Sequence, residues 1–215
     1  MTALLPTIPT GYKIMFKEKN QKSSEEEISL KKQVLIFVWE VFKVVVISLA
    51  IILPIRYYLI KPFYVKGASM EPNFHDREYL IINEISYRFN DPERGDAVVF
   101  KYPEDKTQFF IKRVIGLPGE RVLVENGRIT IFNQLYPEGI ELIESYLPTG
   151  QRTLGEADVT LGQEEYFLLG DNRSASLDSR IFGPVHKDLI VGKTLLRGWP
   201  LDKAGLVLNN LEYNL

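Results

Sequence analysis

The chain contains no cysteine. It therefore cannot be stapled by disulfides, use a thiol nucleophile or build a thiolate metal site. Histidine is nearly as scarce. His75 and His186 are the two present, too few for a His-rich metal centre, and they leave a serine–histidine mechanism only two candidates for its base. An excess of one charge is also missing: 26 basic against 28 acidic side chains give a formal charge of -2. No large positive field exists to hold a phosphate backbone, so nucleic acid is not an expected partner. There is no repeat or low-complexity tract, and no long amphipathic helix follows Ile60.

What is present falls into three segments: a polar tail over residues 1–33, an apolar segment over 34–60 and a domain over 61–215. The tail carries Pro6, Pro9 and Gly11 early and reads as unordered at its start. Ser24 followed by Glu27 fits a capping box, which places a helix start there. A solvated charged face accounts for the same residues.

The run Val44–Ile55 is too short to cross a bilayer alone, but its flanks extend it. A helix over Val41–Ile60 would span roughly 30 Å, the thickness of the hydrocarbon layer. Lys43 and Arg56 lie near its ends, and Trp39, Phe42, Tyr57 and Tyr58 fall where aromatic belts form. A cleaved export signal has a similar apolar core, yet no small-x-small pattern follows Ile55. A buried helix of a soluble protein would need later helices to pack against. The reading adopted is a retained single-pass anchor in a lipid bilayer. Lys17, Lys19, Lys22, Lys31 and Lys32 precede it, against Arg56, Lys61 and Lys66 after it, which favours a cytoplasmic N-terminus and an extracytoplasmic domain. The cell membrane and an internal bacterial or organellar membrane both fit.

Beyond Lys61, strand-like runs alternate with turn signals. Tyr79–Asn83, Ala97–Lys101, Phe109–Ile115, Arg121–Val124, Arg128–Phe132, Tyr166–Leu169 and Leu189–Leu196 are the candidates. Asn126-Gly127 is a two-residue hairpin signal, and Pro118-Gly119 fits a type II turn. The expected fold class is mainly β behind one N-terminal transmembrane helix.

A hydrolase built without cysteine or an evident metal site needs a hydroxyl nucleophile and a base to take its proton. Gly67-Ala68-Ser69-Met70-Glu71-Pro72 puts Ser69 in a small-residue segment that lets a substrate approach closely, although an ordinary turn has the same composition. In Phe109–Gly116, a period of two places Phe110, Lys112 and Val114 on one face. Desolvation there would lower the lysine pKa and leave a neutral amine able to act as a base. An edge strand with Lys112 in water gives the same pattern. Gly170–Arg180 is dense in side chains that hydrogen-bond within loops, which a solvated loop also satisfies; its Asn172-Arg173-Ser174 matches a glycosylation sequon of low specificity.

Together these segments resemble the type I signal peptidases, a family of Ser/Lys proteases. The resemblance rests on Ser69-Met70-Glu71-Pro72, Arg94-Gly95-Asp96, Lys112-Arg-Val-Ile-Gly116 with Pro118-Gly119, and Gly170–Arg180, in that order and at family spacing. It implies a mostly antiparallel β-sheet catalytic domain that removes signal peptides from exported preproteins, cutting after small side chains through an acyl-enzyme, with no metal or other cofactor. It makes Ser69 the nucleophile and Lys112 its general base. Ser176 would orient the lysine amine, Asp171 would pair with Arg113, and Asp178 and Arg180 would form a supporting ion pair. Met70 is expected on the surface, near substrate and bilayer. Arg94-Gly95-Asp96 is expected to be a structural turn. Gly67 stands where some members have a serine that helps hold the oxyanion, which leaves the Ser69 N–H and an unidentified second donor. Two other readings remain: a self-cleaving repressor, which would need a DNA-binding domain before the protease, and an inactive membrane-tethered peptide binder.

Overall fold

The computed structural model describes residues 10–54, 60–207, 211 and 213–215. The chain divides into two units, at Pro54/Ile55. The first contains a single helix, α1 (Thr10–Pro54). It begins well before Ser24, so Ser24 and Glu27 lie inside it rather than at its cap. Pro9 is the last proline before Pro54, and the Lys, Glu, Gln and Met residues between Thr10 and Ser24 favour helix. The part Leu30–Leu53 is long and apolar enough to cross a membrane, and none of it is buried in protein. Residues 1–9 and the expected belt at Arg56, Tyr57 and Tyr58 lie outside the described residues.

The second unit is built on two antiparallel sheets. The larger contains, in spatial order, β1 (Ile60–Tyr64), β2 (Tyr79–Asn83), β11 (Ile190–Trp199), β3 (Ala97–Lys101), β4 (Phe109–Gly116), β9 (Glu165–Leu169) and β10 (Val185–His186), with β12 (Gly205–Leu206) paired to β11. The smaller runs β7 (Ile140–Glu141), β6 (Arg128–Phe132), β5 (Arg121–Glu125) and β8 (Ala157–Thr160). Short helices α2 (Ser86–Phe89) and α3 (Ser179–Phe182) complete it. Every strand run read from the sequence forms a strand. Asn126 and Gly127 both adopt positive φ, 55° and 82°, and close the β5–β6 hairpin with Glu125 opposite Arg128.

The sequence reading missed β1, because Pro62 lies in its middle. The sheet tolerates that proline because, among the described residues, β1 pairs only with β2, leaving its other edge free of ladder hydrogen bonds. By contrast, β4 is an interior strand between β3 and β9, with Val98 opposite Lys112 and Leu169 opposite Arg113. Residues Lys112–Gly116 are all buried. The alternative of an edge strand holding Lys112 in water is thereby removed.

Apolar clusters flank β4. Val98, Phe100, Val114, Leu168 and Val185 form one, joined by Phe110. Val65, Met70, Phe74, Leu80, Ile82, Ala97 and Val99 form another, joined by Phe63 and Ile111. The latter roots the loop 65–78 in the core, and that loop carries Ser69.

Candidate active site

The loop 65–78 leaves β1 and returns to β2, held at both ends by main-chain bonds between Val65 and Glu78 and between Arg77 and Val65. Gly67 has φ +90°, a conformation that side-chain-bearing residues rarely adopt, and its N–H donates to Asp76 Oδ1 at 2.8 Å. The next turn is closed by the Phe74 N–H donating to the Met70 carbonyl. That turn points Met70 and Phe74 inward. Met70 is 1% exposed, in the core with Val65 and Leu80, so the expected surface and substrate role for Met70 is corrected: its thioether anchors the loop. From β11, Arg197 fixes the same loop by an ion pair to Glu78 at 2.9 Å and a hydrogen bond to the Asn73 carbonyl at 2.6 Å.

Ser69 Oγ lies 2.8 Å from Lys112 Nζ, although 43 residues separate the two in sequence. Lys112 is 3% exposed; Nζ also donates to the Ile111 carbonyl at 2.9 Å and sits 5.4 Å from the centre of the Phe110 ring. Burial pulls the Lys112 pKa down to about 8, against the opposing pull of Asp178 and Asp171. With the amine neutral, the Ser69 hydroxyl can donate into its lone pair. Ser69 and Lys112 lie in a cleft of about 280 Å³ whose apolar walls include Phe63, Leu80, Val99, Phe109, Ile111 and Leu177. Phe63 and Phe109 meet edge to face, at 5.5 Å between ring centres, where β1 approaches the start of β4.

Beside the pair, Arg113 faces the other way along β4. Its Nε and a terminal nitrogen donate to the two oxygens of Asp171 at 2.8 and 2.5 Å, and another nitrogen donates to the Gly95 carbonyl at 2.8 Å. Both members are buried, and the Arg113 guanidinium stacks 4.3 Å from the Tyr146 ring centre. Arg94-Gly95-Asp96 is a structural turn. Arg94 grips Glu120 with two bonds of 2.7 and 2.8 Å, Gly95 has φ +93°, and Asp96 accepts from Tyr87 at 2.6 Å. Arg180 donates to Asp178 at 2.8 and 2.7 Å, and Asp178 in turn accepts from the Gly170 N–H at 3.1 Å.

Ser176 departs from its expected geometry. Its hydroxyl is buried but has no hydrogen-bond partner among the described residues, so the bond to the Lys112 amine that the resemblance implies is not made in this arrangement. The amine's contacts are instead to Ser69 and the Ile111 carbonyl. Ser176 does pack at the site: a methyl group on Gly170 would overlap both Ser176 Oγ and the Ser69 carbonyl. Glycine at 170 is what allows the loop so close to Ser69.

Sequence reasoning missed a further buried cation. Arg173 is fully enclosed, with bonds to both Glu144 oxygens at 2.5 Å, to Thr153 Oγ1 at 2.5 Å, to Tyr146 at 3.0 Å and to the Gly170 carbonyl at 3.0 Å. It lay in a quoted motif, but Glu144 and Thr153 sit in irregular chain with no periodic signal. Among the described residues no group of three or more His, Asp or Glu side chains is placed to hold a metal ion.

The profile of the family described as signal peptidase, peptidase S26, matches residues 38–199. A Synechocystis protein described as a probable signal peptidase I-2 is 35% identical over 179 residues, covering 80% of this chain and 78% of that protein. A signal peptidase I of Bacillus amyloliquefaciens is 33% identical, covering 81% of this chain and 91% of that one. A crystal structure of a signal peptidase I from Enterococcus faecalis is 30% identical, with 48% of this chain and 97% of that chain covered and a TM-score of 0.40.

Proposed function

Because the chain belongs to the signal peptidase family, peptidase S26, we propose that it is a membrane-anchored serine endopeptidase that removes signal peptides from exported preproteins, with Ser69 as nucleophile and Lys112 as general base. The observation that carries this reading is the 2.8 Å contact between Ser69 Oγ and a buried Lys112 amine within a cleft. The precursor's cleavage region lies extended in that cleft along the free edge of β1, where main-chain hydrogen bonds give affinity and the apolar walls admit small side chains. Neutral Lys112 accepts the Ser69 proton as Oγ attacks the scissile carbonyl. The resulting ammonium protonates the leaving amine as the peptide bond breaks. Lys112, neutral again, takes a proton from water as the water attacks the acyl-enzyme ester, and returns that proton to Ser69 Oγ as the ester bond breaks and the new carboxyl terminus leaves. Asp171 with Arg113 and Asp178 with Arg180 support the site by holding β4 and the 170–180 loop. No metal or other cofactor takes part.

Processing of a preprotein by the full chain in lipid vesicles tests the reading. Mass spectrometry should show a new N-terminus after a small residue, and an acylating inhibitor should label Ser69. The sign of the pH dependence follows from the base having to be neutral: kcat/KM rises as pH passes through about 8 and levels above it. A flat profile down to acidic pH would count against Lys112, and absence of both cleavage and label would leave the peptide-binding reading.

The balance of Lys17, Lys19, Lys22, Lys31 and Lys32 against Arg56, Lys61 and Lys66 supports an N-terminus on the cytoplasmic side and residues from Lys61 onward outside. The cysteine-free sequence makes this simple to check. A membrane-impermeant maleimide applied to intact cells should label Thr149→Cys, at an exposed position, and should reach Ser24→Cys only after permeabilisation. The reverse pattern would overturn the orientation.

A further inference from the structure

Asn172 grips the nucleophile's backbone at two consecutive carbonyls. Its main-chain N–H donates to the Ser69 carbonyl at 3.0 Å, and its side-chain Nδ2 donates to the Ala68 carbonyl at 3.1 Å. Oδ1 of the same amide accepts from Ser174 Oγ at 3.1 Å, which fixes the way the amide faces. The loop that presents Asn172 is itself anchored on both sides. Asp171 is tied to Arg113, its carboxylate also accepts from Asn73 at 2.9 Å and its carbonyl accepts from Gln151 at 2.6 Å, while Arg173 is locked to Glu144 and Thr153.

The Ala68–Ser69 peptide is trans, since the two cis bonds among the described residues precede Pro72 and Pro200. In a trans peptide the carbonyl and the N–H lie in one plane and point in opposite directions. A donor that holds the Ala68 carbonyl therefore aims the Ser69 N–H away from itself. That N–H belongs to the attacking residue itself, which sets it beside the carbonyl oxygen that acquires charge when Ser69 attacks, and the Gly67 N–H two residues earlier is already committed to Asp76. The Glu71 N–H, 3.2 Å from the same Ala68 carbonyl, shares the hold. From this geometry we propose that Asn172 is a positioning residue that orients the Ser69 N–H as an oxyanion donor. The inference rests on Ser69 being the nucleophile.

Asn172→Asp is the direct test. It keeps size and backbone bond, removes the side-chain donor and sets a carboxylate oxygen against the Ala68 carbonyl. Losing one oxyanion donor outright costs on the order of 100- to 1,000-fold in kcat; with Glu71 retaining part of the hold, Asn172→Asp should lose about 10- to 100-fold, Asn172→Ala less, and KM should be unchanged in both. Affinity for a peptide aldehyde, which forms a tetrahedral adduct with Ser69, should fall by the same factor as kcat. Binding of an uncleaved precursor peptide to Ser69→Ala should not change when Asn172→Asp is added. The proposal is overturned if kcat is unaffected, if KM rises instead, or if aldehyde affinity and kcat do not fall together. A wild-type enzyme that neither cleaves precursor nor reacts with the aldehyde would refute the nucleophile assignment instead.

Discussion

Lys112→Met should abolish precursor cleavage, by at least about 10,000-fold, and at the same time make the folded domain more stable at neutral pH. The two effects have one cause. Lys112 is buried on β4 opposite Val98 of β3, with its amine within reach of Ser69 Oγ and its pKa drawn down to about 8 from an ordinary 10.5. Between those values the unfolded chain binds the proton and the folded chain does not. Stability therefore rises with pH across that window, and the full cost of burying the ammonium is felt below about 8. Methionine cannot titrate and fits an apolar wall, so Lys112→Met should gain about 1–3 kcal/mol at pH 7 and lose the stability rise between about 8 and 10.5. Thermal unfolding of the two proteins over pH 6–11 measures it. Lys112→Met that is inactive but no more stable would mean that Lys112 carries little desolvation penalty. Lys112→Arg should also be inactive, because a guanidinium stays protonated throughout this range.

Asp171→Ala is the second large effect, and it acts through folding rather than chemistry. Asp171 and Arg113 are both buried and joined by two hydrogen bonds. Removing the carboxylate leaves the Arg113 guanidinium with the Gly95 carbonyl as its one remaining hydrogen-bond acceptor and deprives the Asn73 side chain of one of its two acceptors. Stranding a buried charge in this way costs about 3–5 kcal/mol, a large part of the stability of an ordinary domain. Chemical denaturation should show that loss. Arg113→Met in the same protein should recover part of it, because an apolar side chain leaves no charge unpaired. Recovery would separate the cost of the stranded ion from any value of the pair itself. If the double variant is as unstable as Asp171→Ala alone, the pair is not what stabilises the junction between β4 and the 170–180 loop.

The contrast between Lys112 and Arg113 shows how one strand performs two tasks. Successive residues on β4 face opposite sides of the sheet. Lys112 is left without a carboxylate in hydrogen-bond contact and its pKa falls, whereas Arg113 meets Asp171 directly and stays charged. Desolvation acts on both, and the partner decides the outcome.

Much of this was set by local chemistry that the sequence displays. The alternation in Phe109–Gly116, the positive-φ pair Asn126-Gly127 and the apolar run up to Leu53 each follow from neighbours along the chain, as does membership of a family whose motifs occur in order. Ser69 and Lys112 could be nominated individually for the same reason. Tertiary structure decided whether the two side chains meet. Only the flanking of β4 by β3 and β9 makes Lys112 buried rather than a solvated edge residue, and only the return of loop 65–78 brings Ser69 within 2.8 Å of it. The same loop's turn carried Met70 into the core. A side chain's direction in irregular chain depends on main-chain bonds such as Phe74 to Met70, which leave no periodic trace. The buried partners of Arg173 and the grip of Asn172 on Ala68 and Ser69 were illegible for that reason too: they join segments far apart in sequence, where the spacing of residue types carries no information about which polar groups will meet out of water.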